Sequence, residues 1–194
     1  MIISLTGFMG CGKSSIGRKL SELLCCPYID LDSVVEEMDG RSIPDIFAKD
    51  GEAVFRQMEK DALSNVLSDA LSCRGWHGPH NPQLHQTTPP CHIIMALGGG
   101  TVMTKECAEM VRDNTFCIYL RASADTLVAN LKDEADGRPM LQSSVSLRER
   151  IEELMSLRAD TYEKTSHIAV DTDGKSIDEI ATAIITHPLF RQMR

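Results

Sequence analysis

Short runs of apolar, often β-branched residues recur along the chain at 2–6, 27–31, 92–97, 115–120 and 167–170, and each reads as a β-strand. Between them the apolar positions take on helical spacing, near 13–24, 33–38, 42–49, 51–71, 104–113, 123–133, 147–161 and 175–186. Strands alternating with helices imply βαβ units with right-handed crossovers, and so a parallel sheet with helices on both faces. No internal repeat and no second domain interrupts the pattern, so residues 1–194 read as one domain. Two stretches lack periodicity. Residues 72–91 (SCRGWHGPHNPQLHQTTPPC) hold four of the eight prolines and the only Trp, and read as a long surface loop. Residues 134–146 (EADGRPMLQSSVS) form a polar break around Arg138 and are a lid candidate.

The first strand runs directly into Gly7-Phe8-Met9-Gly10-Cys11-Gly12-Lys13-Ser14, and a helical pattern follows at once. That is the context a phosphate-binding loop requires. Glycines let backbone N–H groups turn towards phosphate oxygens, Lys13 can reach the β- and γ-phosphates, and the Ser14 hydroxyl can ligate Mg²⁺. Residues Gly10, Cys11, Gly12, Lys13, Ser14 and Ser15 would then surround ATP at a helix N-terminus. The fold class that follows is α/β, a P-loop NTPase-like three-layer sandwich with a five-stranded parallel sheet.

The second strand ends Asp30-Leu31-Asp32, and alternation would turn both carboxylates to one side at the ligand-binding edge of the sheet. The strand at 92–97 ends in Gly98-Gly99-Gly100 with no acid, so Asp32 is the candidate for the outer shell of Mg²⁺ and for polarising an acceptor hydroxyl. A cap of the next helix is the plain alternative for Asp32, and Asp30 reads as structural. The glycine triplet could admit a polyhydroxyl or carboxylate ligand, or form a tight turn. Arg56 shares a helical face with Glu59, which is either an oriented carboxylate fork or a solvated ion pair.

The formal net charge of −8 argues against a nucleic-acid partner, and no apolar run approaches the ~20 residues that span a bilayer. The N-terminus enters a strand with no room for a signal peptide. The cysteines at 11, 25, 26, 73, 91, 107 and 117 are odd in number, and several fall in predicted core elements. Reduced thiols in the cytoplasm are expected.

Taken together, GFMGCGKSS at 7–15, D-x-D at 30–32, GRSIPDIFAKDGEAVFRQME at 40–59, GGG at 98–100, GRPML at 137–141 and LMSLRADTY at 154–162 resemble the shikimate kinase family over nearly the whole chain. The resemblance implies ATP- and Mg²⁺-dependent phosphorylation of the shikimate 3-hydroxyl, a step towards chorismate and the aromatic amino acids, by a monomer. It implies that Asp32 binds the substrate hydroxyls and helps deprotonate the attacking one. Arg56 and Arg158 would clamp the carboxylate, and Gly99 would contact ring substituents. Phe47 and Phe55, which periodicity alone makes core, would pack on the ring, and Arg138 would reach the transferring phosphate.

Three departures from the family pattern stand out. Asp160 replaces a Pro after the second carboxylate Arg, which predicts an altered helix end with Arg158 and Tyr162 retained. An adenine-side Arg has no counterpart, its neighbourhood being Asn130 and Lys132, and the loop at 171–174 is the other adenine candidate. The 72–91 insertion gathers Cys73, His77, His80, His85, Cys91 and His92, donors that suit zinc at a spacing that matches no finger or ribbon. The alternatives are a gluconate-type kinase, a nucleoside monophosphate kinase, a guanine-nucleotide switch and a non-catalytic nucleotide-binding relative. Two carboxylate-directed arginines, a single lid arginine, the lack of Asn-Lys-x-Asp, and the presence of Lys13, Ser14, Asp32, Arg56, Arg138 and Arg158 weigh against them in turn.

Overall fold

Every residue of the first strand, β1 (Ile2–Thr6), is buried, so it belongs in the interior of a sheet covered on both faces. The computed structural model describes residues 1–71, 92–132, 141 and 146–192. In it, β1 pairs in parallel with β3 (Ile93–Ala96) on one side, Ile3 opposite Ile94, and with β4 (Phe116–Arg121) on the other, Leu5 opposite Ile118. Outside these lie β2 (Tyr28–Asp30) against β3 and β5 (Ile168–Asp171) against β4, giving the order β2-β3-β1-β4-β5. This is the five-stranded parallel sheet the alternating pattern predicts, with helices on both faces.

The helices follow in chain order: α1 (Lys13–Leu24), α2 (Leu31–Asp39), α3 (Ile43–Leu71), α4 (Lys105–Asn114), α5 (Ala124–Leu131), α6 (Leu147–Thr165), α7 (Ile177–Thr186) and α8 (Pro188–Gln192). The patterns expected at 42–49 and 51–71 form one run, broken where Gly51 takes φ 82 and ψ 174. Helix α6 continues to Thr165 rather than ending at 161, and Asp160 pairs with Lys164 one turn on at 3.4 Å. The short 3₁₀ turn Thr101–Met103 and helix α8 carry too little periodicity to be seen in sequence. The insertion at 72–91 lies outside the described residues, as does 134–146 apart from Leu141 and Ser146. The suggested zinc donors Cys73, His77, His80, His85 and Cys91, and Arg138 of the lid, therefore lie outside them as well. Among the described residues no helix is long and apolar enough to cross a membrane.

At the entrance to β5 a side chain extends the sheet ladder. The His167 amide donates to the Cys117 carbonyl at 2.8 Å, and His167 Nδ1 accepts the Cys117 N–H at 3.0 Å. Accepting requires Nδ1 to be unprotonated. Burial, with the Arg112 charge second, holds the imidazole below its ordinary pKa of 6.5. The unfolded chain takes up a proton near that value which the folded imidazole resists, so stability should fall as pH drops below about 6.5. Denaturation midpoints at about pH 7.5 and about pH 5.5 should converge in His167→Gln relative to the parent, and an equal acid loss in both proteins would refute this.

Candidate active site

Helix α1 begins at Lys13 behind Gly12, which has φ 93 and no capping side chain. Ile16 makes the first helical bond, to the Gly12 carbonyl at 2.9 Å, so the Lys13, Ser14 and Ser15 amides have no partner within the helix. They form an anion-binding N-terminus at the end of β1. Lys13 Nζ donates to the Gly7 and Phe8 carbonyls at 3.0 Å each, which holds the loop folded over its own lysine. Cys11 enters the site differently from its neighbours. Its side chain is buried, its amide donates to the Phe8 carbonyl at 3.3 Å, and burial pushes its thiol pKa up, so it packs beneath the loop as a neutral group. From α5, Asn130 Nδ2 donates to the Gly10 carbonyl at 2.9 Å and braces the loop. In the other adenine candidate, Asp173 accepts the Ser123 amide at 2.9 Å.

The two aspartates do not alternate along one strand. Strand β2 stops at Asp30 and Leu31 opens α2, because the Asp30 carboxylate caps that helix by accepting the Asp32 amide at 3.3 Å. The cap is Asp30, while Asp32 sits in the first turn of α2. Ser14 Oγ donates to Asp30 Oδ2 at 3.0 Å, which makes Asp30 the carboxylate beside the candidate metal-ligating hydroxyl. Both are hard oxygen donors next to phosphate-binding amides, the small set that suits Mg²⁺, which keeps waters and phosphates as its other ligands. Among the described residues no cluster of three or more His, Cys, Asp or Glu could hold a metal by itself.

Asp32 belongs to the other half of the site, around Gly98-Gly99-Gly100. A Cβ at Gly98 would lie 2.6 Å from Asp32 Oδ1 and 2.5 Å from Glu59 Oε1, and a Cβ at Gly100 would lie 2.6 Å from the guanidinium carbon of Arg56. These glycines are required because charged side chains approach the backbone from both directions. The Arg56–Glu59 pair is the buried, oriented alternative rather than the solvated one. Arg56 Nη1 donates to Glu59 Oε2 at 2.6 Å, and the two side chains are 16% and 2% exposed. Thr101 Oγ1 donates to Glu59 Oε1 at 2.5 Å. Burial opposes the charge on Arg56, but Glu59, helped by Glu52, more than offsets it and raises the guanidinium pKa.

Arg158 and Tyr162, one turn apart on α6, both reach the Gly99 carbonyl, at 3.4 Å from Arg158 Nη1 and 2.5 Å from the Tyr162 hydroxyl. Arg158 is buried and lies 5.9 Å from the Phe8 ring centroid. Phe47 and Phe55 pack with ring centroids 4.7 Å apart and planes tilted by 42°, Phe55 in the core and Phe47 half-buried at its edge. A Cβ at Gly99 would lie 3.2 Å from the Met9 amide, so the phosphate loop abuts the glycine turn. The structure thus brings together Lys13, Ser14, Asp32, Arg56, Gly98–Gly100 and Arg158. Thr101 and Phe8 also belong to the site, although nothing in their spacing marks them.

A family model described as shikimate kinase matches residues 9–73 and 82–187. The chain is similar to a shikimate kinase of Thermus thermophilus, 36% identical over 183 residues that cover 94% of this chain and 87% of that one. A shikimate kinase of Rhodopirellula baltica is 34% identical over 184 residues, covering 93% and 87%. Among solved structures, a shikimate kinase from Acinetobacter baumannii in complex with shikimate superposes with a TM-score of 0.82 at 25% identity, over 100% of this chain and 95% of that one.

Because Gly100 lies against the Arg56 guanidinium, Gly100→Ala should displace it. Affinity for a carboxylate-bearing acceptor should fall about tenfold or more, while ADP binding, followed by calorimetry, stays unchanged. Equal loss of both ligands would show that the glycine serves the whole site rather than Arg56.

Proposed function

The chain belongs to the shikimate kinase family, and from that premise we propose that this site transfers the γ-phosphoryl group of ATP to the 3-hydroxyl of shikimate. The observation that carries the reading is the meeting of Arg56, Arg158 and Asp32 at the glycine turn, directly beside the phosphate loop. Arg56, held by Glu59, and Arg158, set on the Gly99 carbonyl, bind the carboxylate of shikimate. The glycine turn and Asp32 receive its hydroxyls, and Phe47 and Phe55 flank the ring.

In the transfer, the acceptor oxygen forms a bond to the γ-phosphorus as the bond from that phosphorus to the bridging oxygen of ADP breaks. The hydroxyl proton passes to the Asp32 carboxylate. The transition state is loose and its charge spreads over the equatorial oxygens, so positioning and neutralisation dominate. Lys13 leaves the Gly7 and Phe8 carbonyls for the phosphates, and the Lys13, Ser14 and Ser15 amides hold their oxygens. Arg138 adds a cation from the lid sequence. Bound Mg²⁺ supplies charge neutralisation across the phosphate oxygens. On the protein side Ser14 would hold it directly, and Asp30, the partner of Ser14, through water. The described cysteines 11, 25, 26, 107 and 117 are all free thiols, in keeping with a cytoplasmic enzyme. We take it to act as a monomer with small-molecule partners alone.

A coupled ADP-release assay with ATP and Mg²⁺ should show turnover with shikimate and none with gluconate, and gluconate turnover alone would overturn the acceptor assignment. Lys13→Ala should lower kcat by about 10²-fold or more with the fold retained, as measured by circular dichroism. Arg56→Ala should chiefly raise KM for shikimate, and a defect confined to ATP binding would remove Arg56 from the acceptor site.

A further inference from the structure

The carboxylate on the phosphate side of the site has a second hydroxyl partner with no role so far. Tyr28, on β2, donates to Asp30 Oδ2 at 2.8 Å, the same oxygen that accepts from Ser14 at 3.0 Å. The other carboxylate oxygen accepts the Asp32 amide at 3.3 Å. Asp30 is therefore gripped at both oxygens by three donors from α1, β2 and the start of α2. The tyrosine ring is itself clamped by α1: a Cβ at Gly17 would lie 2.5 Å from Tyr28 Cε2, and the Arg18 guanidinium carbon lies 5.1 Å from the ring centroid. The helix that presents Ser14 to the phosphates thus also holds the ring that aims at Asp30.

We propose that Tyr28 is a positioning residue for the divalent-cation site, fixing the Asp30 carboxylate in the orientation that meets a metal-bound water. The proposal rests on the reading of Ser14 and Asp30 as the metal-side groups. Ser14 is exposed, and its hydroxyl is the group that must reorganise when a cation and phosphates arrive. The Tyr28 hydroxyl stands on a half-buried ring and keeps its hold on Oδ2 through that exchange. Without it, Oδ2 keeps only the Ser14 hydroxyl that must reorganise, and the Asp32 amide at Oδ1 alone holds the carboxylate less tightly about its terminal torsion, which has no sharp minimum of its own. Loss of an outer-shell group costs about 10–100-fold in metal affinity, and for Tyr28, which stands one position behind such a group, the expected effect is about 3–10-fold.

Tyr28→Phe retains the ring and its packing on Gly17, so it isolates the hydroxyl. ADP affinity is measured by calorimetry for parent and variant, in excess Mg²⁺ and in EDTA, with Mn²⁺ binding to the ADP complex followed by electron paramagnetic resonance. The factor by which metal tightens ADP should shrink about 3–10-fold in the variant, and Mn²⁺ affinity should fall in step. Metal-free ADP affinity and shikimate affinity should not change. An unchanged metal factor would overturn the proposal, and so would an equal loss of ADP affinity with and without metal, which marks a general disturbance of the loop. If the parent binds ADP equally well in Mg²⁺ and in EDTA, the reading of Ser14 and Asp30 fails first and takes this proposal with it.

Discussion

A buried carboxylate is the constraint around which the acceptor half of the site is built. Glu59 is almost wholly inaccessible, and an unpaired charge at such a depth costs several kcal/mol. Its two oxygens are satisfied by Arg56 from the same helix and by Thr101 from the turn after β3. That arrangement ties α3 to the glycine turn, and Glu52, accepting from Nε and Nη2 of Arg56, completes the hold on a guanidinium that lies against Gly100. The turn can approach so closely only because Gly98 and Gly100 have no side chains. One ion pair therefore sets the position of a helix, a turn and the Arg56 guanidinium together.

The phosphate half obeys a different economy. Its binding groups are backbone amides at a helix end, whose orientation comes with the helix, and a lysine that holds the loop carbonyls. The two halves meet where Gly99 lies against Met9, and the Gly99 carbonyl is in turn held by Arg158 and Tyr162 from α6. A shift of either half is felt by the other through this residue, through Arg158 over the Phe8 ring and through the Asp30 carboxylate, which accepts from both Ser14 and the Asp32 amide. The chain is acidic overall, with a formal net charge of −8, yet Lys13, Arg56 and Arg158 gather at this junction. Fixed cations in a partly dry site act more strongly than the same charges on a wet surface, which suits a reaction between two anions.

Much of this was legible from periodicity and short motifs. The alternation of apolar runs and helical patterns predicts the strands and their parallel sheet, and the break between two helical patterns near 50 coincides with Gly51. Boundaries were less legible where a local hydrogen bond overrode the pattern. Asp30 to Asp32 reads as the end of a strand by its alternation, but the Asp30 carboxylate captures the Asp32 amide and starts a helix there instead. In α6 the helix runs on past 161 because its buried face continues through Tyr162 and Thr165, one of them aromatic and the other polar, so the apolar pattern read from sequence stops short of it.

The sequence by itself determined the parallel sheet and the glycine-rich helix start after β1, and its family motifs supplied the candidates for the site. These follow from local spacing, which a chain displays without being folded. The tertiary structure alone decided which carboxylate stands by Ser14 and which by the glycine turn, whether Arg56 is a solvated or a buried ion pair, and that Arg158 and Tyr162 converge on one carbonyl. Those outcomes depend on contacts between residues tens of positions apart, Glu59 with Thr101 and Gly99 with Tyr162. Burial and distance arise there only when the sheet and helices have packed.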